Sequence, residues 1–358
     1  MYGCYNVKKE VIEVFYFEMC IRDRRRCVEV FKMIAYFDCG TTNTRIYIIN
    51  NGHIIYEKKV EKGTRDAVHG ELQYEKLLKA LYQTALSKIK ILNKDIYRVY
   101  ASGMITSRSG LYEVQHVSLP AGIEVLRNNM VTYNLKNEIG KDLTLIPGMK
   151  TCGQNLRVSP DECVDVNNIR GEEMEIFGVN KWAVMNKIYN YALVLPGSHT
   201  QTAFVKNGTV NDLFSCISGE LFDAITKHTF IGASVCENDC QINVNEVGMG
   251  ARLLEKYGLN RALYLVRTLE IFSDTSASER MNVLEGIIHA DIVKGVLAKL
   301  DELKDITNII IYGNTTQASI LESLFEMYAR KGYNIFVLDL PVQASVMGVC
   351  ELDKREGV

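Results

Sequence analysis

One pattern occurs twice in this chain and restricts its fold more than any other feature. Ile34–Phe37 is an apolar, extended-prone run that ends at Asp38. Cys39-Gly40-Thr41-Thr42-Asn43 then turns the chain, Arg45–Ile49 is apolar again, and Asn50-Asn51-Gly52 makes a hairpin turn into His53–Val60. The order returns from Tyr191. Tyr191–Leu195 reads as a buried strand, Pro196-Gly197-Ser198-His199-Thr200 as a turn and Gln201–Val205 as a second strand. Asn207-Gly208 is the hairpin, and Val210–Cys216 a third strand. Gly40 precedes Gly52 by 12 positions and Gly197 precedes Gly208 by 11, which marks a duplicated unit.

Each unit continues into alternating helices and strands. Leu72, Leu77, Leu78, Leu81, Ala85, Leu86 and Ile89 recur at helical spacing over Leu72–Lys90, and Tyr97–Ala101 is a fourth strand ended by Ser102-Gly103-Met104. In the second unit Ser218-Gly219-Glu220-Leu221 opens a helix, and Val247–Leu300 reads as a long helical region. Asn308–Tyr312 is a strand ending in Gly313-Asn314-Thr315-Thr316, followed by a helix over Ser319–Arg330 and a strand over Asn334–Leu338. A last helix spans Val342–Glu351. The pattern is α/β, with 33–165 and 166–340 expected as two domains and the last helix, within 341–358, returning to the first.

Bulk properties narrow the function. The chain has 358 residues, 47% of them hydrophobic and 23% charged, enough for two cores. A net charge of −2 gives no electrostatic case for nucleic acid. No apolar run approaches the roughly 20 residues that a membrane helix needs. The ten cysteines form no close Cys-x-x-Cys pair, which argues against zinc and fits reduced thiols in a cytoplasmic protein. Residues 1–32 stand apart as an extension. Their Glu18-Met19-Cys20-Ile21-Arg22-Asp23-Arg24 string resembles translated sequencing adapter, so Met33 is the expected natural start.

The first turn has the residue types for metal–phosphate work. Asp38, at a strand end, can hold Mg²⁺ directly or through water. Gly40 allows a phosphate close to the backbone, and the hydroxyls of Thr41 and Thr42 can donate to phosphate oxygens. A Thr- and Gly-rich hairpin turn without ligand is the alternative.

Three segments together resemble the phosphate-1, phosphate-2 and adenosine motifs of the sugar kinase/heat-shock chaperone/actin superfamily. They are Asp38–Arg45, Leu195–Thr200 and Ile311–Thr315, in that order. Ser102-Gly103-Met104, Ile146-Pro147-Gly148, Arg170-Gly171-Glu172-Glu173 and Ser218–Leu221 extend the resemblance to the 2-dehydro-3-deoxygalactonokinase family. The chain departs from that family at Cys39, where Trp is common, and at Asn168-Ile169, where Val-Met is typical.

The resemblance implies two ribonuclease-H-like domains in the actin-like ATPase arrangement, with ATP and Mg²⁺ in the cleft between them. It implies transfer of phosphate to the 6-hydroxyl of 2-dehydro-3-deoxy-D-galactonate, a small-molecule sugar acid, in galactonate catabolism. Asp38 would hold the metal, and Gly40, Thr41, Thr42 and Asn43 would lie against the transferred phosphate. Gly197, Ser198, His199 and Thr200 would lie against the β- and γ-phosphates, with Gly313, Asn314 and Thr315 near the adenosine. Glu172 is the expected base, with Glu173 close behind, because both open a helix whose N-terminus favours the ionised form. Arg170 is the expected partner of the sugar-acid carboxylate, through its guanidinium fork. Ser102 and Arg108 would frame the sugar from loops. Another acceptor on the same fold, or an actin- or chaperone-like ATPase switch, are the alternatives. The absence of a long peptide-binding or polymer-contact insert disfavours the switch. Homo-oligomerisation stays open.

Overall fold

A computed structural model describes residues 33–153, 157–236, 241–329 and 332–354; the expectation of an adapter-derived extension over 1–32 lies outside them. The first unit contributes strands β1 (Met33–Cys39), β2 (Thr44–Asn50), β3 (His53–Val60), β4 (Ile96–Gly103), β5 (Val117–Ser118), β6 (Val131–Tyr133), β7 (Leu143–Leu145) and β8 (Met149–Lys150). After β9 (Asn168–Ile169), the second unit contributes β10 (Asn190–Leu195), β11 (His199–Lys206), β12 (Thr209–Ile217), β13 (Asn308–Ile311) and β14 (Asn334–Val337). One large sheet runs in the order β3-β2-β1-β4-β7-β6 and the other β12-β11-β10-β13-β14. In both, three antiparallel strands in the order 3-2-1 are followed by two parallel ones. This is the ribonuclease-H-like order, found twice, and it gives the actin-like ATPase architecture. A small third sheet joins β5, β8 and β9.

Two helices lie between the large sheets: the central helix Glu173–Met185 and the C-terminal helix Ala344–Asp353. Side-chain alternation along the strands explains the sandwich. Ile34 and Tyr36 of β1, Tyr47 and Ile49 of β2, and Tyr191, Leu193 and Leu195 of β10 point to the middle, where they pack with Met174, Phe177, Val346 and Val349. The intervening residues point outward. Ala35, Phe37, Ile46 and Ile48 meet the helix Tyr74–Ile89, and Ala192, Val194, Ile309 and Ile311 meet an outer helical layer. Both sheets are therefore buried on two faces, which is why their first strands read as unbroken apolar runs.

The two middle helices approach closely at paired glycines. A Cβ at Gly178 would lie 1.8 Å from the Ala344 carbonyl oxygen, and one at Gly348 would lie 1.9 Å from that of Met174. The C-terminal helix is also tied to the first sheet. Asp353 accepts from the Tyr100 hydroxyl at 2.6 Å and from Arg98 at 3.2 Å, and Arg127 donates to the Leu352 carbonyl at 2.8 Å.

Local boundaries differ from the sequence reading for identifiable reasons. The expected single region over Val247–Leu300 is three helices, Val244–Tyr257, Leu259–Phe272 and Ala277–Leu303, separated at Gly258 and at a Ser-rich link capped by Ser276. The helix expected from Ser319 begins at Thr315, because the Asn314 side chain caps it by accepting from the Gln317 N–H at 2.9 Å. Cys39, Cys152, Cys163, Cys216 and Cys350 are free thiols, whereas Cys236 is disulfide-bonded, which corrects the expectation of reduced thiols at that position. No helix among the described residues is long and apolar enough to cross a membrane.

Candidate active site

The open ends of the two duplicated hairpins face each other across a cleft of about 670 Å³. Asp38, Gly40, Thr41, Thr42, Asn43 and Arg45 line it from the first unit, and Pro196, Gly197, Ser198, His199 and Gln201 from the second. Arg170, Glu172 and Glu175 line it at the head of the central helix.

The two turns are braced by the same device. In the first, the Gly40 and Thr41 carbonyls accept from the N–H groups of Thr64 and Arg65 at 3.2 and 2.9 Å. This needs a glycine at Gly63, where a Cβ would lie 2.4 Å from the Thr41 oxygen. In the second, the Ser198 carbonyl accepts from Glu220 N–H at 3.0 Å and the Gly197 carbonyl from the Ser218 hydroxyl at 3.3 Å. Here a Cβ at Gly219 would lie 2.6 Å from the Gly197 oxygen. With the carbonyls drawn back by the element after the third strand, trans peptide geometry turns the next N–H groups the other way. Such turns bind anions through their backbone.

Asp38 follows Tyr36 on the middle-facing side of β1. Among the described residues its carboxylate has one ion pair, with Arg45 Nη1 at 3.5 Å. Burial pushes its carboxyl above the ordinary value, and Arg45 opposes that shift. Cys39 points to the opposite face and is fully buried in the outer core, in keeping with a small turn residue rather than a nucleophile.

Glu172 is the N-cap residue of the central helix, and its Oε2 is buried without a hydrogen-bond partner among the described residues. Burial raises its carboxyl above the ordinary range. Glu173, one position on, does not line the cleft. It is 1% exposed, its Oε2 accepts from Gly171 N–H at 2.8 Å, and its Oε1 is unpartnered among the described residues. Burial, then the neighbouring Glu172 charge, pushes Glu173 up to about 8. The reason for the difference is rotational: each helical step turns a side chain by about 100°, so Glu173 swings behind Glu172 whereas Glu175, three positions on, returns to its face. Glu175 is likewise raised to about 8, by burial first and then by Asp38 and Glu172.

Arg170 lines the cleft, but its guanidinium is engaged within the protein. Nη1 donates to the Thr106 carbonyl at 2.7 Å and to the Thr106 hydroxyl, and Nη2 donates to the Val114 carbonyl at 2.9 Å. The His116 ring also meets Nη2, and burial followed by the Arg170 charge lowers that imidazole to about 4. The expected carboxylate fork is therefore a clamp on the 106–116 segment.

Ser102 is fully buried with its hydroxyl 2.7 Å from that of Tyr36, so it braces β1 instead of framing a sugar. Arg108 is exposed on the turn after β4, outside the cleft lining. Thr200 points away from the cleft and donates to the Ser218 hydroxyl at 2.9 Å. Gly313, Asn314 and Thr315 lie beside the cleft rather than in its lining. A Cβ at Gly313 would lie 2.5 Å from Pro196 Cγ, so this glycine makes room for the second turn, and Asn314 serves as a helix cap.

Glu175 and Gln201 were absent from the sequence-based site. Glu175 carried the i, i+3 spacing from Glu172, and Gln201 the even-residue alternation from His199 along β11.

Comparison with known proteins fits this geometry. A family model for 2-keto-3-deoxy-galactonokinase matches residues 38–340. The "Probable 2-dehydro-3-deoxygalactonokinase DgoK1" of Rhizobium meliloti (strain 1021) is 24% identical over 268 residues, 74% of this chain and 80% of that protein. The 2-dehydro-3-deoxygalactonokinase of Escherichia coli (strain K12) is 22% identical over 251 residues, 70% and 76% of the respective chains. A crystal structure of a candidate 2-dehydro-3-deoxygalactonokinase from Sinorhizobium meliloti shares the fold, with a TM-score of 0.71 at 18% identity over 89% of this chain and 97% of that one. Matched by a family model from the first hairpin to the end of the second sheet, the chain belongs to the 2-keto-3-deoxy-galactonokinase family, the sugar-acid kinases.

Proposed function

We propose that the protein transfers the γ-phosphoryl group of ATP to the 6-hydroxyl of 2-dehydro-3-deoxy-D-galactonate. The observation that carries this reading is the convergence of two backbone-lined turns, Asp38 and the helix-capping Glu172 on one cleft. Phosphoryl transfer depends mainly on positioning and charge neutralisation, and these residues supply both.

The turn at Gly40–Asn43 takes the transferred phosphate, and the turn at Gly197–His199 the β- and γ-phosphates. Arg45, beside Asp38, adds positive charge on the same wall. The donor set fits Mg²⁺. Asp38 has one long ion pair and spare lone pairs, and the described residues hold no cluster of three or more His, Cys, Asp or Glu that would cage a metal by themselves. Mg²⁺ suits one carboxylate completed by water and phosphate oxygens. Asp38 would hold it, and bound there it neutralises charge on the phosphates.

Glu172 accepts the proton of the acceptor hydroxyl. The hydroxyl oxygen forms a bond to the γ-phosphorus, its proton passes to the Glu172 carboxylate, and the bond to the β-bridging oxygen breaks with its electron pair leaving on ADP. Burial raises the basicity of Glu172 and its unpartnered Oε2 gives the proton a place to go. Glu175, raised to about 8, stays largely protonated at neutral pH and so adds little negative charge beside the phosphates. Residues 33–165 with the C-terminal helix and residues 166–340 act as the two domains that close on the substrates and exclude water. The test is ADP release coupled to a panel of sugar acids, with phosphorus NMR of the product. Turnover with 2-dehydro-3-deoxygalactonate above the acceptor-free ATPase rate, giving a 6-phosphate, is expected. A rate no higher than that background would overturn the assignment.

A further inference from the structure

Gln201 is an amide built into the wall of the cleft with no internal partner for its oxygen among the described residues. It lines the cleft, is only 8% exposed, and its Oε1 is buried without a hydrogen bond. Along β11 it shares the middle-facing side with Ala203 and Val205, an otherwise apolar stripe. In register it lies between Leu195 of β10 and Ser215 of β12. A buried amide oxygen left unpaired is unfavourable, so a group that enters the cleft is the natural source of the missing bond.

The chemistry of that group follows from what Gln201 lacks. Phosphate and carboxylate oxygens only accept at neutral pH, so they pair with this amide only if it turns its nitrogen toward them, whereas a hydroxyl pairs with it in either orientation. A hydroxyl donates to the amide oxygen, and it also accepts from the amide nitrogen if the side chain turns about its last bond. The position separates the two substrates. Gly313, the adenosine-side motif, abuts Pro196 from the β13 side of the second turn. Gln201 lies on the opposite side, toward β12, where Ser215 N–H donates to the Asn167 side chain at 3.0 Å, in the segment that leads into Glu172.

We propose that Gln201 binds a hydroxyl of the acceptor and makes the enzyme selective for a polyhydroxylated acid over its deoxy analogues. The assignment rests on the kinase reading above. The experiment compares wild type with Gln201→Leu and Gln201→Met, using 2-dehydro-3-deoxygalactonate and analogues lacking the 4- or the 5-hydroxyl. Wild type should prefer the full acid to one of the analogues by about tenfold in kcat/KM, the size expected of a neutral hydrogen bond. Both variants should lose that preference through a higher KM for the full acid, with the KM for ATP unchanged. Their thermal unfolding should match or exceed wild type, since an apolar side chain removes a buried amide oxygen that has no partner among the described residues. A preserved preference, a changed KM for ATP, or a drop in the unfolding temperature without loss of the preference would overturn the assignment of Gln201 alone. Wild type with no acid-dependent turnover would overturn the kinase reading and this assignment with it.

Discussion

Substituting Glu173 by Gln separates a buried carboxyl from the proposed base, Glu172, beside it. Glu173 is 1% exposed and held near 8 by burial and by the Glu172 charge. In the unfolded chain the same carboxyl ionises near its ordinary 4.5. Between those two values the native state keeps a proton that the unfolded state releases, so native stability falls as pH rises. The contribution is complete below 4.5 and lost by the time the pH passes about 8. At about 1.36 kcal/mol per pH step, the full swing is about 5 kcal/mol. The Glu173→Gln side chain would keep the oxygen that accepts from Gly171 N–H and cannot ionise, but it leaves an unpaired buried NH₂ that costs about 1–3 kcal/mol. Urea unfolding from about pH 5 to about pH 9 should therefore show wild type losing stability more steeply than the variant, in which Glu172 and Glu175 still titrate, the variant leading by about 2–4 kcal/mol at the alkaline end. Because Glu173 does not line the cleft, kcat at neutral pH should stay within about threefold of wild type. A flat wild-type profile would refute the burial argument. A loss of kcat of about a hundredfold or more would make Glu173 the base and refute the facing argument.

Three further outcomes follow from the same geometry. Glu172→Gln should lower kcat by about 10²–10⁴ with the KM for ATP little changed, and the wild-type kcat–pH profile should fall on its acid side above the ordinary carboxylate range, because the raised base is protonated as pH drops. Arg170→Lys should lower stability by about 2 kcal/mol, since a single ammonium cannot hold the Thr106 and Val114 carbonyls together, while the KM for the sugar acid moves by less than about threefold; a far larger rise in that KM would restore Arg170 to the substrate. Gly178→Val should destabilise the protein by about 3 kcal/mol or more in chemical unfolding, because its Cβ would fall 1.8 Å from the Ala344 oxygen and force the middle helices apart; a loss under about 1 kcal/mol would show that they separate freely.

Much of the scaffold was legible because strand periodicity is short and local. Tyr36 and Asp38 share one face of β1 whatever lies above it, so the alternation, the two Asn-Gly hairpins and the Gly-centred turns could be read directly. The same three-strand hairpin order stands at the head of both large sheets in the structure.

The amino-acid sequence by itself determined the duplicated α/β plan, the family and the two hairpin turns, since each is written in a contiguous pattern of residues. Only the tertiary structure decided which neighbouring side chains reach the cleft. The central helix is packed between two sheets and apolar nearly all round, so no polar stripe fixes its rotation, and Glu172 could not be told from Glu173 until the paired glycines set its phase. Arg170 looked free because the carbonyls that hold it lie 64 and 56 positions upstream. Gln201 looked like an ordinary strand residue, and its unpaired oxygen became visible only when the surrounding strands closed over it.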